Sequence, residues 1–222
     1  MNLSLIGYGK MGRMLDRLAP EYGFTVTARI TRNEEIEAAR DAPVAIDFSA
    51  AAAVPGNVAR LAAAGINVVE GTTGWLEHLA DVQASITKHG TGMVWSPNYS
   101  VGVQVFSRLV REAARLLQNQ DAYEAWAWEL HHSAKKDAPS GTLLKLVDDM
   151  KRAGYLKPID IASNRAGAVP GTHEIGFDSA ADTITLRHTA RSREGFAHGA
   201  LKAAQWIVGK TGFHDFEEVL FS

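Results

Sequence analysis

The chain opens on a short apolar strand, Asn2-Leu3-Ser4-Leu5-Ile6, and runs directly into Gly7-Tyr8-Gly9-Lys10-Met11-Gly12. A helical pattern follows through about Tyr22. Glycines at G-x-G-x-x-G spacing between strand and helix leave few folds open. The first glycine allows a tight turn, the second lets the backbone approach a pyrophosphate, and the third lets the helix pack on the strand. The helix start offers free amides to an anion. Gly7, Tyr8, Gly9, Lys10, Met11 and Gly12 are therefore candidate cofactor contacts. The alternative is a glycine-rich turn in some other α/β protein.

Strand and helix patterns then alternate. Strands are expected at Thr25–Ile30, 44–48, Asn67–Glu70 and 92–96, and helices at 33–40, 54–64 and 76–88, with Pro55 in the first turn of the second. Such alternation implies a parallel sheet covered on both faces, with ligands beyond the carboxyl ends of its strands. The loops that fall there are the glycine turn, Phe48-Ser49-Ala50 and Gly71-Thr72-Thr73-Gly74, with Ser96-Pro97-Asn98-Tyr99-Ser100 on the same rim. In NAD-binding domains the second strand usually ends on an acid that holds the ribose diol. Here Thr31-Arg32 follows, and Glu34 and Glu35 are assigned to the short helix. Arg32, with Arg13 and Lys10, is expected to face the extra phosphate of NADPH, so NADPH is expected to be favoured over NADH or equal to it.

After about Val101 the pattern changes. A helix over 103–117 precedes the strand 123–130, on which Glu124, Trp126, Trp128 and Leu130 share one face. That face is expected to lie beside the apolar members of 182–190 and to need a cover, or else to pack under helix 103–117. His131-His132-Ser133-Ala134-Lys135-Lys136-Asp137-Ala138-Pro139-Ser140-Gly141-Thr142 follows. Two histidines, two lysines and a Ser-Gly-Thr helix start are suited to donating protons and holding an anion. His131 and His132 point to opposite faces if the strand continues, so they are not expected to share a metal, and none is called for. Ser140 reads as the N-cap of a helix over 141–153. A solvated basic loop with a helix cap is the bland alternative. Short strands at 160–163, 173–178 and 182–190 and an amphipathic helix over 195–209 complete an α+β half with a mixed sheet. Two architectures in one chain argue for two domains, with the change at about Val101.

Composition removes some classes. Net charge is −2 with no long basic tract, so a nucleic-acid partner is not expected. Cysteine is absent, which leaves no disulfide framework or thiolate site. No apolar run is long enough to span a bilayer, and the start lacks the charged and cleavable segments of a secretory leader, so a cytoplasmic protein is expected.

These residues together resemble the dihydrodipicolinate reductase family. The most specific match is His131-His132-x-x-Lys135-x-Asp137-Ala138-Pro139-Ser140-Gly141-Thr142. It is supported by Gly7–Gly12, Ile46-Asp47-Phe48-Ser49, Gly71-Thr72-Thr73-Gly74, Asn98-Tyr99-Ser100-Val101-Gly102, Arg165-x-Gly167 and His188-x-Ala190-x-Ser192-Arg193-x-x-Phe196. The resemblance spans nearly the whole chain. It implies a Rossmann-type dinucleotide-binding domain over 1–101, completed by the returning segment 194–222, a smaller α+β domain over 102–193 that binds substrate and joins a homotetramer, and reduction of 4-hydroxy-tetrahydrodipicolinate by NADH or NADPH in lysine and diaminopimelate biosynthesis. It implies that His131 donates the proton and that Lys135 binds and polarises the substrate. His132, Lys135, Ser140, Gly141 and Thr142 would hold the carboxylates. Gly71, Thr73, Ser96, Asn98 and Tyr99 would form the nicotinamide side, with Thr72, Phe48 and Ser49 beside them.

Two departures touch the adenosine end of the cofactor: the stretch between Ile30 and Val44 is short for the family, and Thr31 stands where the acid is usual. Rival readings are another two-domain nicotinamide enzyme acting on small carboxylates, and a non-catalytic dinucleotide sensor. Neither needs the His-His-x-x-Lys and Ser-Gly-Thr set.

Overall fold

A computed structural model describes residues 1–31 and 34–222; Arg32 and Asn33 lie outside the described residues. In chain order the elements are β1 Asn2–Ile6, α1 Lys10–Leu18, β2 Thr25–Ile30, β3 Val44–Asp47, α2 Val54–Ala63, β4 Asn67–Glu70, α3 Leu79–His89, β5 Gly92–Trp95, α4 Val101–Leu117, β6 Glu124–His131, α5 Gly141–Arg152, β7 Ile159–Arg165, β8 Gly171–Asp178, β9 Thr183–Ala190, α6 Glu194–Ile207, β10 Gly212–Asp215 and α7 Phe216–Phe221. They form two compact units. One comprises Met1–Ser100 with Phe196–Ser222, the other Val101–Gly195.

The first unit holds a six-stranded parallel sheet in the order β10-β5-β4-β3-β1-β2. All four residues of β3 and all four of β4 are buried, as expected of strands covered on both faces. The order reverses between β1 and β3, and such a switch point opens a crevice at the carboxyl edge of a sheet. Ile6, Ile30, Val58, Trp75, Val82 and Met93 are among the buried residues of its core. Helix α6 backs onto the turn after β5 through a glycine: a Cβ on Gly199 would lie 1.7 Å from the Tyr99 carbonyl oxygen.

Three local expectations are corrected. Helix α1 stops at Leu18, and Pro20 sits in a single 3-10 turn over Ala19–Tyr22, because a proline nitrogen cannot continue the α-helical ladder. The helix expected over 33–40 is a 3-10 turn over Ile36–Asp41. Glu34 precedes that turn and folds back on the end of β2, where its carboxylate accepts from Thr31 N at 2.7 Å and from Thr31 Oγ1. Strand β10 was not foreseen: Gly212-Phe213-His214-Asp215 has no apolar alternation, and its pairing with β5 makes it a strand.

The second unit holds a mixed sheet in the order β7-β6-β8-β9. β6 runs parallel to β7 and antiparallel to β8, which is antiparallel to β9. One face packs Ala125, Ala127, Ile175 and Phe177 against Phe106 and Val110 of α4 and Leu143, Leu146 and Met150 of α5. Spacings of three and four residues bring those helix positions onto one stripe. Residues alternate between faces along a strand, so Trp126 and Trp128 lie on the opposite face and not under α4.

Their neighbours also differ from expectation. β8 intervenes between β6 and β9, and Trp126 and Trp128 pair with Gly176 and Glu174, which pair in turn with Thr185 and Arg187. Ile184 and Leu186 of β9 instead pair with Phe177 and Ile175 of the helix-covered face. A Cβ on Gly176 would meet the Trp126 indole at 2.1 Å, so the ring lies directly on that glycine. Trp128 Nε1 donates to Asn164 Oδ1 at 2.6 Å, and the Arg187 guanidinium stands 5.9 Å from the Trp128 ring centre.

Candidate active site

In the first unit the register aligns Ile6, Asp47, Glu70 and Trp95 at the carboxyl edge of the sheet, so the loops after β1, β3 and β4 emerge side by side. Gly9, Lys10, Met11, Phe48, Ser49, Ala51, Gly71, Thr72 and Thr73 line one open cleft there. The glycines differ in what requires them. Gly7 has φ +85°, and a Cβ on it would lie 2.3 Å from the Phe48 carbonyl oxygen. A Cβ on Gly12 would lie 2.3 Å from the Gly7 oxygen, and one on Gly71 would enter the Phe48 ring at 2.2 Å. A Cβ on Gly9 would meet nothing within 4 Å among the described residues. The protein's own packing thus demands three of these glycines but not Gly9, which suits a ligand backing onto that point. Gly9 is also the N-cap of α1 and supplies no capping side chain, which leaves the helix amides for an anion.

Other expected cofactor residues play supporting parts. The Tyr8 hydroxyl donates to Asp16, whose carboxylate also takes Arg29 Nε at 2.8 Å and Nη2 at 2.7 Å. Ser96 Oγ donates to the Asn98 carbonyl at 2.9 Å, and Asn98 Oδ1 accepts from Ser100 N at 2.9 Å, so both shape the turn after β5. Tyr99 is buried, and its hydroxyl bridges the Glu70 and Val94 carbonyls at 2.9 Å each. Arg32 lies outside the described residues.

The second unit gathers the proton-transfer candidates. His131 ends β6 on the helix-covered face with Glu129, two residues earlier. Glu129 is fully buried, and its Oε1 accepts from Ser140 N at 2.9 Å, Ser163 Oγ at 3.0 Å and Arg165 Nη2 at 2.8 Å. Its Oε2 stands 3.5 Å from His131 Nδ1 and 3.6 Å from His173 Nε2. The two imidazoles meet edge to face with centres 5.0 Å apart. His173 Nε2 is also 3.3 Å from Ser140 Oγ, which caps α5 by accepting from Leu143 N at 3.2 Å. Gly171 lies against His131: a Cβ there would be 2.9 Å from its Nε2.

Burial pulls the His131 imidazolium below the ordinary histidine range; the Glu129 charge works the other way, while Lys135 and Arg165 add to the fall. Burial, reinforced by His131, lowers His173 to about 4. Burial would raise the Glu129 carboxyl, but the bonds from Ser140, Arg165 and Ser163 outweigh it and hold it below the usual range. Glu129, His131 and His173 each offer a ligand atom within 4.8 Å of the others, the geometry of a small metal site, and His132 is outside that group. The Arg165 guanidinium already balances the Glu129 charge.

Lys135 is half-buried on the loop below and reaches Asp137 Oδ1 at 2.8 Å. His132 follows the strand end and accepts from Lys135 N through its carbonyl at 3.1 Å. The amides of Gly141 and Thr142 open α5 and have no carbonyl a turn earlier to bond. Ser140, expected among the substrate ligands, has its amide on Glu129 and its hydroxyl on the helix cap. Sequence reasoning missed Glu129, although period-two alternation puts it on the His131 face. His173 had no such signal, because only the β6–β8 register brings it to Glu129.

A glycine-turn crevice and a buried histidine near a free helix start, carried on one chain, are features a nicotinamide-dependent oxidoreductase needs. Family models for the dihydrodipicolinate reductase N-terminus and C-terminus match residues 1–99 and 102–220. The 4-hydroxy-tetrahydrodipicolinate reductase of Christiangramia forsetii is 34% identical over 99% of this chain and 98% of its own. That of Methanosarcina mazei is 40% identical over 81% of this chain and 73% of its own. Among solved structures, a dipicolinate-bound dihydrodipicolinate reductase from Paenisporosarcina shares the fold with a TM-score of 0.85 at 18% identity over 98% of both chains. An amine dehydrogenase from Mycobacterium smegmatis shares it at 0.66, with 9% identity over 98% of this chain and 95% of its own. The chain belongs to the dihydrodipicolinate reductase family. Its activity is the NAD(P)H-dependent reduction of 4-hydroxy-tetrahydrodipicolinate to tetrahydrodipicolinate, a step of lysine and diaminopimelate biosynthesis.

The glycine geometry separates binding from folding. Gly9→Ala should leave the thermal midpoint unchanged and raise the KM for the cofactor at least tenfold. Gly7→Ala should destabilise by about 1–3 kcal/mol, because it combines overpacking with a left-handed backbone. Thermal unfolding beside cofactor KM checks the pair, and an unchanged KM in Gly9→Ala would place the cofactor elsewhere.

Proposed function

We propose that His131 protonates the substrate, that Lys135 with the Gly141 and Thr142 amides holds and polarises its carboxylates, and that His132, Ser140 and Thr142 complete that set. The observation that carries this reading is the buried Glu129 carboxylate facing His131 Nδ1. An acid on Nδ1 favours the proton there and leaves Nε2 for the exchangeable one. When bound, the nicotinamide supplies the hydride, and the residues bind, orient and protonate. Burial works against the cation of resting His131. An arriving dicarboxylate favours the imidazolium, so substrate binding brings a proton to the site. A cytoplasmic location belongs to the same reading, since the reaction draws on the NAD(P)H pool.

His131→Ala should lower turnover by about two to four orders of magnitude, the usual weight of a general acid. A general acid acts protonated, so kcat/KM should fall as pH rises, with its midpoint below the ordinary histidine value. Glu129→Gln removes the charge that favours the cation and should move that midpoint to lower pH. A midpoint indifferent to Glu129, or near-normal turnover in folded His131→Ala, would reject the roles.

NADPH is taken as the favoured cofactor or an equal of NADH. Arg32 supplies a cation after β2 that suits a 2′-phosphate. Glu34 is the countervailing group, since its carboxylate on Thr31 could accept from a ribose diol. Arg32→Ala should therefore depress kcat/KM for NADPH more than for NADH, and Glu34→Ala should do the reverse. Steady-state kinetics with both cofactors decides this, and strong native preference for NADH defeats it.

The tryptophan face of the second unit is read as a subunit contact in a homotetramer. Trp126 and Trp128 are half-buried on a sheet face opposite the helices, and such a face favours a cover. Multi-angle light scattering should give four chains at micromolar concentration, and Trp126→Lys should dissociate them. A stable monomer in the native protein would refute the contact.

A further inference from the structure

Asp47 and Glu70 end the adjacent strands β3 and β4 and are register partners, so their side chains leave the same face of the sheet. Both are fully buried. Asp47 Oδ2 accepts from Asn57 Nδ2 at 2.8 Å, and Glu70 Oε1 accepts from Thr72 N at 2.7 Å. The other oxygens, Asp47 Oδ1 and Glu70 Oε2, are buried without a partner. Neither acid forms an ion pair among the described residues. The other titratable groups at this end are Tyr99, on the Glu70 carbonyl, Asp215 of β10, in register with Trp95, and Lys10, which lines the cleft above and is solvent-exposed, with no ion pair to either buried acid among the described residues.

Two ionised carboxylates on strands about 4.8 Å apart, buried and without a cation, repel strongly. One proton shared by the pair would remove a charge and offer the orphan oxygens a bond. We propose that Asp47 and Glu70 share one proton, and that this neutralised pair positions the loops Phe48–Ser49 and Gly71–Thr73 that line the cofactor cleft. The pair touches the loops directly. Glu70 holds Thr72 N; Thr72 Oγ1 accepts from Ser49 N at 3.0 Å; Asn57 links Asp47 to Ser49 Oγ at 3.3 Å; and Gly71 N donates to the Asp47 carbonyl at 2.9 Å. Burial pushes the Glu70 carboxyl far above the ordinary range, and the Asp47 charge adds to the rise. Burial likewise raises Asp47, against the lowering influence of the nearby polar groups of Ser49, Asn57 and Thr72. Asp47 and Glu70 are thus positioning residues that act through Ser49 and Thr72. The loop half of the proposal rests on the cofactor cleft described above.

The sign of the linkage follows. The folded pair binds its proton more tightly than the unfolded chain does. The stability it lends is therefore present below the unfolded carboxylate range and is lost as pH rises toward the folded value. The experiment compares wild type, Glu70→Gln, Glu70→Ala and Asp47→Asn. In the cofactor-free protein, the infrared band of a protonated carboxylic acid should be present in wild type at pH 7 and absent from Glu70→Gln. The thermal midpoint of Glu70→Gln relative to wild type should climb as pH rises from 5 to 9. In wild type, cofactor KM should rise on the alkaline side by up to about tenfold per pH unit, the limit for one linked proton. Glu70→Gln, whose amide donates to Asp47 and accepts from Thr72, should flatten that rise. Glu70→Ala should show a raised KM at every pH. If Glu70→Gln does not fold, Asp47→Asn tests the same flattening and the same loss of the infrared band. No acid band, with parallel midpoint profiles in wild type and variant, overturns the shared proton. An acid band with a pH-independent cofactor KM overturns the positioning role. Failure of the cleft itself shows separately, as an unchanged KM in Gly9→Ala.

Discussion

The buried Glu129 carboxylate is the interaction on which the second unit depends. It is fully buried on β6 and meets three donors from elsewhere in the chain: the Ser140 amide before α5, the Ser163 hydroxyl and the Arg165 guanidinium. A buried carboxylate without such donors would carry a desolvation cost of several kcal/mol. Its bonds therefore pin the helix start and the β7 edge to one point, and its other oxygen faces two imidazoles at 3.5 and 3.6 Å. The consequence is chemical. The same charge that Arg165 balances also faces His131 and favours its protonated form against the burial that opposes it.

The first unit solves a different problem with similar means. Its parallel strands end in register, so three loops emerge as neighbours, and the chain fills that edge with glycines where backbone or aromatic rings would otherwise collide. Phe48 illustrates the economy: its carbonyl abuts Gly7 and its ring abuts Gly71. Asp47 and Glu70, buried beneath, couple two of those loops. Family membership explains why both units occur in one chain. The residue contacts explain how each is held.

Much of this was legible from the residues, for physical reasons. The glycine turn, the alternation of strand and helix and the Ser140 cap are local signals, since each rests on backbone geometry within a few positions. The tryptophan stripe was legible as a face. Its neighbours were not, because the order in which strands assemble is a long-range outcome, and β8 rather than β9 came to lie beside β6. The 3-10 turn over Ile36–Asp41 escaped notice for the opposite reason. Its charged sequence suits a helix, yet Glu34 finds donors at Thr31 outside it.

By itself the sequence determined the alternation of strands and helices in the first half, the glycine turn after the first strand and the Ser140 cap of α5, and it marked His131 and Lys135 as candidates for one chemistry. These follow from side-chain type and short-range spacing. Only the tertiary structure decided that β10 completes the parallel sheet, that His173 and Arg165 converge on Glu129, and that Asp47 stands beside Glu70. Each of those is a register between segments remote in the chain. Hydrogen bonding and burial choose such registers over the whole fold, and no local pattern encodes them.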